Sequence, residues 1–211
     1  MMKQSLSLVT SAFLLMGASN LFAASSIDLS VVGVLTPSAC TPALSGGGMV
    51  DHGKISMSDL SYDAYLPLAT LALSVNCEAS TLMAVKSTDN RSGSAWYEYD
   101  TESAFGLGFH GENWRLGGYR LLVKNVQVDG APAPSIESVD GKLWFPATED
   151  QAWQPRWMRS VGAVGEADAI PVPVQNLAMD LTIQTRVRKP RGAITEEVPL
   201  DGSATLDIVY L

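Results

Sequence analysis

A chain of 211 residues with a net charge of -8 is long enough for one substantial core. Its 46% hydrophobic content excludes a disordered chain. The acidic balance excludes nucleic acid as a partner, because phosphate binding needs a positive footprint.

Met1 to Ala23 carries Lys3, an apolar run through Leu14 to Met16, and small residues at Ala23, Ala24 and Ser25. That run is too short and interrupted to span a bilayer. Its three-part form predicts a signal peptide over residues 1–23, cut after Ala23 or Ala24. The mature chain is expected to be exported. It keeps two cysteines, Cys40 and Cys77, and an even count in an exported chain predicts one disulfide. Closing that loop is worth about 3–4 kcal/mol on chain-entropy reasoning. With His52 and His110 far from either cysteine there is no zinc spacing, and there is no CxxC, so neither metal nor cofactor is expected.

The stretch from Ser26 to Cys40 alternates, with Ile27, Leu29, Val31 and Gly33 on one face and Asp28, Ser30 and Val32 on the other, which predicts a strand. Pro42 and Ser45 to Gly48 then predict a loop, and Met49 to Ile55 a short strand around Gly53. Leu66 to Cys77 and Thr81 to Lys86 are the next strands, and Ser87 to Ser94 is a turn. Ala104 to His110 and Gly117 to Val128 follow, with turn signals at Asp129-Gly130 and Asp140-Gly141. The cleanest half-buried strand runs from Leu177 to Val187, set against Asp180, Thr182, Gln184 and Arg186. Arg186 to Arg191 (RVRKPR) reads as a solvated hairpin tip. The final strand is Ala204 to Tyr210. Many short strands at turn-marked spacing, with no sustained helical period, predict an all-β sandwich in one domain. Residues 135–174 are its decoration.

Catalysis needs convergent groups. His52 reads as outward-facing on a strand, and His110 sits beside a glycine turn. There is no nucleophile elbow, HExxH or phosphate loop, and Glu98/Asp100 and Glu196/Glu197 read as solubilising surface pairs, so no enzyme is expected. Trp144, Trp153 and Trp157, near Phe145, Arg156 and Arg159, form a possible glycan-binding patch or else cover the end of the core.

The ordered set Ile27 to Gly33, Pro37 to Cys40, Val50 to Ile55, Leu73 to Cys77, Asp89 to Arg91, Phe105 to Gly108, Gly118-Tyr119, Pro199 to Leu206 and Tyr210-Leu211 resembles fimbrial (pilin-type) subunits of the chaperone–usher pathway. It is most similar to the β-clade family of initially uncharacterised Pseudomonas-type exported proteins. Val198 stands where many such subunits carry a glycine. The resemblance implies an immunoglobulin-like β-sandwich over residues 37–211, incomplete and completed by a donated strand. Residues 24–36 would be the donor extension, with Ile27, Leu29 and Val31 as plugs and Gly33 at a close approach. Leu206, Ile208 and Tyr210 would line the acceptor groove, and the Leu211 carboxylate would meet a chaperone. The implied partners are a periplasmic chaperone, an outer-membrane usher and neighbouring subunits joined head to tail, passing through the periplasm to a cell-surface fimbrium that serves adhesion. Whether residues 26–36 pair in their own sheet or in a neighbour's stays open at this stage, as does a glycan-binding module built on the tryptophans.

Overall fold

The computed structural model describes residues 29–32, 39–165, 168–190 and 196–211. The leader, Ile27 and Gly33 lie outside them. Residues 1–35 and 36–211 are two separate units, and the second holds every strand described. Its strands are β1 (Cys40–Leu44), β2 (Asp63–Tyr65), β3 (Ala69–Thr81), β4 (Met83–Asp89), β5 (Phe105–Gly106), β6 (Phe109–His110), β7 (Trp114–Arg115) and β8 (Gly117–Val128). They continue with β9 (Ala131–Pro132), β10 (Ser135–Ser138), β11 (Phe145–Pro146), β12 (Met158–Val164), β13 (Ala169–Pro171), β14 (Val174–Arg188) and β15 (Ala204–Tyr210). Two short 3-10 turns, Ser45–Gly48 and Thr101–Ser103, are the only helical elements among the described residues.

One sheet runs β1-β3-β14-β8-β5, with β2 added beside β14 and β9 beside β8. The other runs β11-β10-β12-β4-β15, with β13 beside β12. The pairings are antiparallel, as an all-β sandwich with short connections requires. The inward residues of β14, Leu177, Met179, Leu181 and Ile183, are buried and share one core with Leu73, Val75, Leu121 and Val123. Met83, Val85 and Val161 belong to the same core from the other sheet. Each such side chain contributes about 1.5–3 kcal/mol by leaving water. A smaller cluster of Ala84, Ile136, Trp144, Met158 and Ala169, with Val209 packed on it, is the apolar contact of the decorated segment. The disulfide Cys40–Cys77 forms, and those two residues are also directly paired in the β1–β3 register.

Four local expectations change. Pro42 does not start a loop but lies inside β1, an edge strand, where a missing N–H on the free side costs no ladder bond. Met49 to Ile55 is irregular rather than a strand, because Gly53 takes φ 64° and its N–H turns back to Asp51 Oδ1 at 2.7 Å. The expected turn from Ser87 begins later, since β4 continues to Asp89 to pair with Ala204. Ala104 to His110 is split into β5 and β6 by Gly108 at φ 84°.

The basic run is also corrected. Arg186 is only 8% exposed and lies within β14, where it pairs with Asp63 and Glu98. Burial alone would lower its pKa, but the hydrogen bonds it donates to Asp63 and Glu98 hold it above the usual arginine value.

Candidate functional site

The last strand is an edge. Among the described residues β15 pairs with β4 alone, from Ala204 opposite Asp89 to Tyr210 opposite Met83. Just outside that register, Leu211 N–H donates to Leu82 O at 3.1 Å and Asn90 N–H to Ser203 O at 3.0 Å. Antiparallel ladders alternate, so the odd-numbered residues of β15 face β4. Ala204, Leu206, Ile208 and Tyr210 therefore turn their backbone N–H and C=O groups to the free side. Leu206 and Ile208 also send half-buried side chains to the core.

Beside this edge the two sheets do not close. They leave a groove of about 280 Å³, lined by Leu44, Val50, Leu71, Leu181 and Ile183 on one side and by Leu200 and Leu206 on the other. An apolar groove next to unpaired backbone is what a sandwich lacking one strand presents. His52 lines it too, within 3.1 Å of Thr185 Oγ1 through Nε2. Burial lowers the His52 pKa below its ordinary value, against the opposing pull of Asp51. His52 is thus a half-buried groove residue rather than an outward strand residue, and sequence alternation missed it because the segment is not a strand. Tyr119 also lines the groove, and burial, with Asp89 next, keeps its hydroxyl protonated well above the usual tyrosine range.

One end of the open side is bridged. Tyr210 Oη accepts the Cys40 backbone N–H at 3.0 Å, joining β15 to β1. Tyr210 and Leu211 are 43% and 42% exposed. Of the expected donor residues, Leu29 and Val31 lie among the described residues; both are 89% exposed and in no strand.

The tryptophans are placed otherwise. Trp153 is fully buried and donates its Nε1 hydrogen to Trp157 O at 2.9 Å, while Trp144 is 5% exposed with Nε1 directed to Gly141 O at 3.2 Å. Trp157 packs partly buried against the main core. These rings are apolar volume, and no stacking platform is formed by the three together. Arg159, fully buried, pairs with Glu137 at 3.2 Å. His110 lies on β6, in a two-stranded hairpin with β7. Among the described residues no group of His, Cys, Asp and Glu is arranged to hold a metal ion.

Fold and groove define a disulfide-linked all-β sandwich in which β15 is an edge strand among the described residues. Residues 29–106 match the family described as "Protein of unknown function (DUF1120)". The chain is 27% identical to "Uncharacterized protein YhcF" of Escherichia coli (strain K12), over 95% of this chain and 96% of that one. It is 26% identical to "Protein GltF" of the same organism, over 87% of this chain and 88% of that one.

Proposed function

We propose that this chain is a structural, non-catalytic subunit of a surface fimbria, joined to its neighbours by strand donation in the chaperone–usher manner. The observation that carries the reading is the free edge of β15 beside the apolar groove. An incoming strand would bond the outward backbone of Leu206 and Ile208 and place alternate side chains in the groove, which is β-augmentation. Residues 24–36 of a neighbouring copy are the proposed donor. Such contacts run head to tail and do not close, so they build filaments. A periplasmic chaperone would occupy the groove in transit, the usher would exchange it for the next subunit, and the fibre would serve adhesion at the cell surface.

The test uses the mature chain and its Leu29→Asp/Val31→Asp variant. Wild type should form concentration-dependent chains visible by light scattering and electron microscopy. The variant should stay monomeric yet accept a synthetic 24–36 peptide, with a higher melting temperature as bound strand stabilises the native state. A variant that ignores the peptide and a wild type that stays monomeric would overturn the reading.

A further inference from the structure

A second cleft, of about 390 Å³, lies away from the aliphatic lining of the groove, and no Leu, Val, Ile, Phe, Tyr or Trp lines it. Thr88 and Ser92 bring hydroxyls that have no hydrogen-bond partner among the described residues. Arg115 and Arg156 stand at it as exposed guanidinium groups, and neither has a carboxylate partner among the described residues. Two carboxylates share the cleft. Asp89 is already engaged, its Oδ1 by Arg91 N–H at 2.9 Å and its Oδ2 by Gly106 N–H at 3.1 Å. Glu102, exposed on the 3-10 turn, is left as an acceptor for hydroxyl groups.

The walls are held firmly. The loop ahead of β5 is tied to β8 by Trp96 N–H to Gly117 O at 3.0 Å and by the Asp100–Arg120 ion pair. Arg188 lies 4.8 Å from the centre of the Trp96 ring and 4.1 Å from that of Trp114, which fixes the strand carrying Arg115. On the other wall, Arg156 adopts φ 74°, a left-handed backbone that costs a residue with a side chain, while its N–H donates to Ser87 O at 2.7 Å. A glycine would adopt that backbone without the steric cost.

We propose that this cleft binds a hydroxylated carboxylate, a uronic or sialic acid unit of a glycan. Arg115 and Arg156, without a carboxylate partner among the described residues, can each meet a carboxylate with charge-assisted bonds that can be bidentate. Unpartnered hydroxyls and Glu102 match the sugar hydroxyls. Preformed walls reduce the ordering cost of binding. The site is separate from the strand groove, so its binding can be read on monomers whether or not the chain polymerises.

The experiment is titration calorimetry of the mature chain with three probes, a glucuronate oligosaccharide, sialyllactose and neutral lactose. At least one acidic sugar should bind saturably and lactose should not; which acidic probe binds identifies the source. Arg115→Gln and Arg156→Gln should each weaken that binding at least about tenfold, whereas Lys142→Gln should not. Arg156→Gly is the sharper variant, because it should raise the melting temperature by relieving the left-handed strain while still weakening the sugar. Absence of saturable binding by both acidic probes overturns the proposal. So does binding that survives Arg115→Gln and Arg156→Gln unchanged.

Discussion

Tyr210 Oη and the Cys40 backbone N–H meet at 3.0 Å, although 170 residues separate them in the chain. The contact joins the end of the last strand to the start of the first, one in each sheet, at the disulfide. It closes one end of the open side, while the cavity lies toward Gly202 and Leu206. A partly exposed hydrogen bond is worth about 0.5–1 kcal/mol. Tyr210→Phe should therefore lower the melting temperature by about 1–4 °C, the scale for a domain of this size. Faster amide hydrogen exchange at Cys40 should accompany it. An unchanged Cys40 exchange rate would mean that the hydroxyl does not hold this end.

Trp153 has no exposed surface and sits in the main core. Truncating a buried aromatic loses its transfer free energy and leaves a cavity, so Trp153→Ala should cost about 3–5 kcal/mol. The same change at Trp157, only half-buried, should cost less. Urea midpoints of the two variants check the order. Equal midpoints would contradict the burial described.

How much of this the residues announced depends on the distance over which each feature is determined. β8 and β15 were legible to the residue, because Gly117 to Val128 stops at the Asp129-Gly130 turn signal and Ala204 to Tyr210 alternates without a break. The buried face of β14 was equally plain. The Cys40–Cys77 bond followed from count and compartment. Arg186 misled, because its burial rests on Asp63 and Glu98, more than eighty residues earlier in the chain. Trp144 and Trp153 misled in the opposite sense: a tryptophan near arginines reads as a recognition surface until the partner layer is known. Of the residues that the resemblance to pilin-type subunits implied for the groove, Leu206 lines the cavity, whereas Ile208, Tyr210 and Leu211 are not among its lining and Tyr210 instead bridges to Cys40. His52 and the Arg115/Arg156 cleft have no local signal. Both depend on loops brought together by the sandwich.

Arg159 and Glu137 form an ion pair inside the fold, and Gln151 adds a hydrogen bond to Glu137. Burial pushes the Glu137 carboxyl up, against the attraction of Arg159, and pushes the Arg159 guanidinium down. Arg159→Met removes the partner and leaves a buried carboxylate, with a penalty of about 3–5 kcal/mol near neutrality. The variant's Glu137 should titrate still higher. A carboxyl raised in the folded state contributes stability that is full below its ordinary value and lost as pH rises through the folded value. The penalty should thus shrink on acidification from about pH 7 toward pH 5, read as converging urea midpoints of variant and wild type. Arg159→Met/Glu137→Leu should recover most of the loss, since well-packed apolar pairs replace buried ion pairs with little cost. A double variant as unstable as the single one would locate the penalty in packing rather than charge.

His52 gives the groove a pH dependence of known sign. Its pKa is already lowered, first by burial and against Asp51, and its Nε2 lies 3.1 Å from Thr185 Oγ1. A strand seated in the groove would cover His52 further and lower its pKa again, so docking releases a proton. A histidine depressed in the bound state favours binding above its free value and opposes it as pH falls through that value. The affinity of the 24–36 peptide for the Leu29→Asp/Val31→Asp chain should therefore fall between about pH 7 and pH 5, by up to about tenfold per unit of pH at the steepest. His52→Gln keeps a hydrogen-bonding side chain without a titrating ring and should flatten that profile while leaving affinity near neutrality close to wild type. If the slope persists in His52→Gln, another group governs it, and the strand does not cover His52 in the way the groove geometry requires.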